Sequence, residues 1–504
     1  MVYQLSPGVN WTEYDLTTIV PSVSTTEGAF VGNFAWGPVG EIRELSDEVE
    51  LVRYFNRPND DNFRDFYTAA NFLGYASALR LVRVVGTTSK NATSGTEVVL
   101  IKNQDVYELD YLDLSANANV GVFAAKYPGD LGNSLLVSFF ASNNATDFAD
   151  WTYGNLELHS EFQTHPGTSK FVGDRGGAND EMHIIVVDYY GKFSGLANSV
   201  LEKFSFLSKA VDAKSDDGSS KYYVNVINDQ SQYIYIMNHP DDSTNWGLPA
   251  NGTIYGGGTA NSYVLSGGVH ANPEPSDIIL GYDLFGNSEE TDVSLIMTGA
   301  HNQTVCEHVA DVIVGGSAGN EVSGRRDAVA FFSPQFSDVV DNPGMEADDI
   351  VTYRNEFNSS SYVVMDSNWK KQFDKYNNTY RWVPLNGDIA GLCARTDYER
   401  DPWWSPAGFN RGHIKNVTKL AWNPNKAARD TLYKAGVNPV VNFKGEGVVL
   451  YGDKTMLAKP SAFDRINVRR LFIVLEKAIS KAAKYSLFEF NDEFTRAQFV
   501  ALVE

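Results

Sequence analysis

The stretch KYNNTYRWVPLNGDIAGLCARTD, Lys375–Asp397, gathers one of the chain's two cysteines with Asp, Arg, Tyr and Trp residues. A loop mixing a thiol, acids, bases and aromatics suits either an active site or a surface that fits another protein. Cys393 sits between Leu392 and Ala394, the chain has no GxSxG, and nothing near Cys393 in the sequence would lower a thiol pKa. A free Cys in that setting behaves as a small buried hydrophobe. Cys393 is thus disfavoured as a nucleophile, and the choice between a site and a contact surface stays open at this point.

Working outward, the 504 residues allow about three domains at roughly 150 residues each. With 43% apolar and 21% charged residues, the composition is that of a globular chain with enough apolar material for real cores. Aromatics at 13% point to β-structure or large contact surfaces. Cys306 and Cys393 form no CxxC and no disulfide framework. The start, MVYQLSPGVNWTEYDL, lacks the basic and apolar regions of a signal peptide. No run approaches 18 apolar residues, so no membrane insertion is expected. A net charge of −22 argues against nucleic acid as a partner and requires basic patches placed against acidic ones if the chain assembles.

The hydrophobic patterns predict an α/β plus mostly-β, multidomain chain. Residues 1–20 read as an extended N-terminal arm, rich in Pro, Gly and β-branched residues. Residues 21–86 read as strand, two helices and strand, the first part of an α/β core. Residues 87–122 are a short irregular insertion. Residues 123–265 are a β-rich middle domain with strands at Leu135–Phe140, Met182–Tyr190, Tyr222–Ile227 and Tyr233–Met237, and a helix at Gly195–Ala210. Residues 266–504 return to alternating strands and helices, the mark of parallel βαβ units and the second part of the core. Helices are expected at Arg411–Asn423 and at Asp464–Tyr485. In the latter, Val468, Phe472, Leu475, Ile479 and Ala482 form one apolar stripe, with Arg469, Arg470 and Lys477 off it as a solvated basic face.

Candidate chemistry is thin. His301 and His308 share a helix face near Cys306, but no third ligand stands at usable spacing, and zinc helices place their His at i and i+4. GGSAGN (315–320) and YGGGT (255–259) lack the spacing of a phosphate loop. DVVDNPGMEADD (338–349) lacks the alternating acids and terminal Glu of a calcium loop and reads as a solvated acidic segment. No cofactor, metal or catalytic residue is expected, and the chain reads as an assembly component.

RWVPLNGDIAGLCARTD (381–397), WWSPAGFNRGHIKNV (403–417) and PSAFDRINVRRLFIVLEKAI (460–479) resemble the contractile tail sheath proteins of T-even-like myoviruses. LSPGVNWTEYDLTTIVPSVSTTEGAFVGNFAWGPV (5–39) and NFLGYASALRLVRVV (71–85) do so as well, in the family's order. The middle matches only in patches such as YPGDLGN (127–133). The resemblance implies an α/β core near the tail tube with β-rich domains inserted outward, and hexameric rings stacked helically around the tube. Contraction would be triggered at the baseplate and would drive the tube through the host envelope, with no nucleotide consumed. Partners would be further copies of the chain, the tail tube protein, and baseplate and tail terminator proteins, with no nucleic acid. The location would be the virion tail, after synthesis in the host cytoplasm.

On that reading Trp382, Pro384 and Leu385 fix a core loop, while Asp388 and Arg395 pair locally or across subunits. Leu5, Pro7, Gly8 and Val9 belong to an arm exchanged between subunits. Arg465, Arg469, Arg470 and Lys477 are candidates for contact with the tube or the next ring. The family's chains usually run on past FNDEFTRAQF into a C-terminal arm, so an arm missing after Glu504 would leave a monomer unable to polymerise. Two alternatives remain: the sheath of a non-phage contractile injection device, and an α/β enzyme with a scattered site.

Overall fold

The structure is a computed structural model that describes residues 25–240, 245–256, 260–315, 324–484 and 487–503. The expected arm, with Leu5, Pro7, Gly8 and Val9, lies outside the described residues, as does most of GGSAGN. The chain begins its described part with β1 (Gly28–Asn33), β2 (Ile42–Leu45), α1 (Glu48–Phe55), α2 (Phe63–Leu73) and β3 (Leu79–Val84). β1 and β3 are buried along nearly their whole length, as strands covered on both faces must be.

The next stretch supplies α3 (Gln104–Asp110), β4 (Phe123–Ala125), β5 (Leu135–Phe140), α4 (Ala145–Ala149), α5 (Lys170–Gly173), β6 (Glu181–Asp188), β7 (Ser199–Ser208), α6 (Tyr223–Gln230), β8 (Ile234–Ile236) and β9 (Ala260–Val264). Antiparallel pairing orders four of these strands β7-β6-β5-β9, with β4 and β8 as a separate pair. Two expectations are corrected here. Ser199–Ser208 is a strand, not a helix. Its partner β6 shifts register at Met182/Ile184 and Val186/Val187, and Phe206 takes a positive φ of 54°. Those irregularities break the two-residue alternation that marks a strand in sequence. Tyr222–Ile227, expected as a strand, falls in the helix Tyr223–Gln230, which buries Tyr223, Val224, Ile227 and Asn228, a helical spacing hidden under strand-forming residue types.

The remainder contains α7 (Pro275–Asp283), β10 (Leu295–Met297), α8 (Gln303–His308, continued by a π turn at Val309–Ile313), β11 (Val329–Phe332), α9 (Phe336–Val339), α10 (Glu346–Asn355), β12 (Val363–Asp366), β13 (Trp369–Asp374), β14 (Thr379–Pro384), α11 (Asn386–Glu399), β15 (Lys419–Leu420), α12 (Lys426–Lys434), β16 (Val437–Asn438), β17 (Val440–Phe443), β18 (Gly447–Leu450), α13 (Ile466–Lys484) and α14 (Glu493–Val503). Arg411–Asn423 is not helical. Asn416 takes a positive φ of 57°, and the segment closes as β15 on β13.

One seven-stranded sheet draws on both ends of the described chain, in the order β16-β12-β11-β10-β1-β3-β2. All its pairings are parallel except β2 on β3. The joint lies at its centre, where Gly28 and Ala29 of β1 pair with Leu295 and Ile296 of β10. Alternate residues feed two cores. Phe30, Leu81, Met297 and Phe331 face α1, α2 and α11, while Ala29, Val31, Ile296 and Phe332 face α7, α8, α10 and α12.

The opening stretch is therefore a strand and a helix, not a loop. β14 pairs with β13, and α11 lies against α2. Small residues let the two helices approach: a Cβ on Gly391 would stand 2.5 Å from the Tyr75 ring, and one on Gly387 would overlap the Thr68 carbonyl.

Arg83, in β3, is fully buried, and among the described residues no carboxylate forms an ion pair with it. It donates to Phe34 O (2.7 Å) and Gly37 O (2.6 Å) in the core and to Pro128 O (2.8 Å) in the β-rich region. Burial pushes its guanidinium down to about 9.

Candidate assembly interface

An open parallel sheet takes ligands beyond the carboxyl ends of its strands, where the strand order reverses. Here that point lies between β1 and β10, and it is filled by the chain itself. Asn386, at the start of α11, donates from Nδ2 to Gly299 O (2.7 Å) and accepts from Gly299 N (3.1 Å). Ser333 Oγ beside it accepts from the backbone N–H groups of Leu385 (3.1 Å) and Asn386 (3.0 Å). The His301 ring bonds Val31 O at 2.7 Å, the His308 ring bonds Asp283 at 2.7 Å, and the buried Cys306 thiol donates to the His301 carbonyl, so the three side chains do not converge on one point. Burial pushes the Cys393 thiol up to about 12. Among the described residues no three His, Cys, Asp or Glu side chains gather as a metal site, and no helix is long and apolar enough to cross a membrane.

The residues proposed to fix the opening stretch have local partners. Asp388 and Lys370 form a buried ion pair at 2.8 Å. Burial works against both charges, pushing the carboxyl up and the ammonium down, and the pair is supported by Tyr75 OH on Asp388 and by Lys415 O on the ammonium. Arg395 donates to Arg411 O and lies 5.4 Å from the Tyr75 ring centroid. Trp382 is half-buried with Lys371 over its ring at 5.7 Å, and Pro384 is buried at the end of β14, paired with Trp369.

The long helix α13 is turned the other way from the sequence expectation. Arg469 and Arg470 are 8% and 4% exposed, so no solvated basic face forms from them. Arg470 makes a two-pronged pair with Asp397, one bond at 2.7 Å, and also donates to Thr25 O (3.2 Å). Arg469 lies over the rings of Tyr362 (4.3 Å) and Phe463 (4.2 Å). Lys477 reaches Asp292 (2.8 Å) and Asp327 (3.4 Å). Arg465 is partly exposed and is paired with Asp453 at 2.7 Å.

The inward stripe of α13 is thus Ile466, Arg470, Ile473 and Lys477. The outward one is apolar: Phe472 is 39% exposed, Leu475 45% and Ile479 36%. Leu487, Phe488, Phe490, Phe494, Val500 and Val503 continue this exposure to the end of α14. Sequence reasoning missed the inversion because the carboxylates that draw the cations inward, Asp292, Asp327 and Asp397, stand far from them along the chain. A run of exposed apolar side chains of this extent marks an interaction surface.

Comparison with known proteins places this architecture. Residues 323–456, which include the opening stretch, match the phage tail sheath protein central domain. The tail sheath protein of Vibrio phage KVP40 is 33% identical over 606 residues, covering 99% of this chain and 90% of that protein. The tail sheath protein of Enterobacteria phage T4 is 30% identical over 617 residues, covering 98% and 88%. In fold, the sheath tail protein of Listeria innocua matches with a TM-score of 0.53 at 11% identity, over 96% of this chain and 84% of that one. Identity at this level along almost the whole sequence bears out the resemblance carried by the motifs at both ends, and the chain belongs to the phage tail sheath protein family.

Proposed function

We propose that this chain is the structural subunit of a contractile phage tail sheath, stacking as hexameric rings around the tail tube and contracting to drive the tube through the host envelope. The observation that carries this reading is the nearly full-length likeness to proteins named tail sheath protein. The exposed apolar face of α13 and α14 supports it, since a chain that works alone gains nothing from leaving Phe472, Leu475 and Ile479 in water. In this reading residues 21–86 and 266–504 make the core near the tube, 123–265 face outward with the insertion 87–122, and residues 1–20 form an arm taken up by a neighbour as an added strand. Contact with the tube or the next ring runs through the apolar face of α13, with Arg465 at its margin. Baseplate and tail terminator proteins meet the two ends of the stack.

The test is electron microscopy of the protein with and without its tail tube protein over a salt series. Rings or tubes that coat the tail tube are expected. A protein that leaves the tube bare at every salt concentration overturns the reading.

A further inference from the structure

A cleft of about 500 Å³ opens where the core meets the β-rich region. Its charge is opposite to that of the chain. The protein carries −22 overall, yet Arg43, Arg53, Arg57 and Lys126 line this cleft against Asp229 alone. These cations are unequally engaged. Lys126 is buried and donates to Ser231 O (2.5 Å) and Asn228 O (3.2 Å). Arg43 is paired with Glu41 at 2.9 Å, but its Nε is buried with no hydrogen-bond partner among the described residues. The guanidinium groups of Arg53 and Arg57 are exposed and make no hydrogen bond or ion pair among the described residues; Arg53 leans on the Tyr54 ring at 5.6 Å. The apolar wall is a packed trio, with Trp36 4.9 Å from Phe193 and Phe193 5.2 Å from Tyr233.

The segment DNPGMEADD, Asp341–Asp349, has the complementary character. Gly344 has a positive φ of 99° and open space on the side where a Cβ would stand, so the turn projects. Met345 at its tip is 50% exposed. Asp341 and Asp348 are exposed; the Arg64 charge acts on Asp341, but among the described residues no cation forms a close ion pair with Asp341, Glu346, Asp348 or Asp349. A thioether suits an aromatic wall, and carboxylates suit guanidinium forks. We propose that the cleft receives the Asp341–Asp349 segment of a second copy of this chain, the turn before α10 and that helix's first turn, with Met345 against Trp36 and Phe193 and its carboxylates on Arg53 and Arg57. The proposal rests on the sheath reading, which supplies the second copy. Because the cleft bridges core and β-rich region, an occupant would also fix the angle between them.

Two charge-reversed proteins test this: R53E/R57E and D341K/D348K, each checked for native melting. Each alone should lower the yield of assembled sheath at least tenfold, and a chain carrying all four changes should recover most of it. Wild-type yield from either variant, or no recovery in the combined chain, overturns the proposal while leaving the sheath reading intact. If the wild-type chain fails to coat tubes, the sheath reading falls, and a synthetic 338–350 peptide decides the cleft. Saturable quenching of tryptophan fluorescence, weakened at least tenfold by R53E/R57E, supports it; no binding at millimolar peptide overturns it.

Discussion

Asp366 ends β12 fully buried, accepting from Ser333 Oγ (2.6 Å) and Asn368 N (3.0 Å). Burial pushes its carboxyl up to about 8, and the neighbouring Asp388 adds to the rise. The folded chain thus keeps a proton that the unfolded chain releases near pH 4. The resulting stability is complete below the unfolded value and is lost as pH rises through about 8. Asp366→Asn should therefore gain melting temperature relative to wild type as pH goes from 5 to 8.5. Parallel melting curves for the two proteins across that range would show that Asp366 is already ionised. Arg470 makes the opposite case, a charge held by its partner. Arg470→Glu sets two buried carboxylates together at Asp397 and should cost about 3–5 kcal/mol in urea unfolding. A variant of unchanged stability that fails only in assembly would restore Arg470 to the surface role expected from sequence.

At the scale of elements, α13 separates stability from association. Its inward residue Ile473 packs in the core, so Ile473→Ala should cost about 2–5 kcal/mol. The outward set should behave differently. Phe472→Ser, Leu475→Ser and Ile479→Ser together should leave the melting of the isolated subunit nearly unchanged while abolishing association seen by sedimentation. A large fall in melting temperature would mean that this face is already covered within the chain. Of the large sheet, β1, β3, β10 and β11 were legible in sequence because runs such as LRLVRV and AVAFFS are mostly apolar, whereas β2, β12 and β16 are short and do not stand out. α13 was legible as a helix but not in its rotation, since rotation depends on carboxylates supplied by other elements. β7 and α6 were exchanged for local reasons: bulges erase strand alternation, and Tyr, Val and Ile in YYVNVI favour a strand until packing decides. Asp388 and Arg395 were expected to pair locally or across subunits; the cation that meets Asp388 inside the chain is Lys370, which lies across a hairpin that spacing alone does not locate.

For the whole molecule, Arg83 joins the two regions through main-chain carbonyls and not through a salt bridge, so its hold is insensitive to salt. Arg83→Met should leave both regions folded yet raise amide hydrogen exchange around residues 34–37 and 128–130, by at least tenfold at the most protected sites. Unchanged exchange would show that the apolar contacts of Trp36 with Tyr127 and Phe193 suffice. The central joint of the large sheet has a further consequence, one of timing. β1 and β3 leave the ribosome early, but the strand that completes β1 is β10. At about 5–20 residues per second, the chain between Val84 and Leu295 takes roughly 10–40 s to make. Throughout that interval β1 presents an unpaired apolar edge. The nascent chain therefore carries a waiting, aggregation-prone half-sheet, and a slower-translated or chaperone-depleted host should lose this protein at that stage and not after its release.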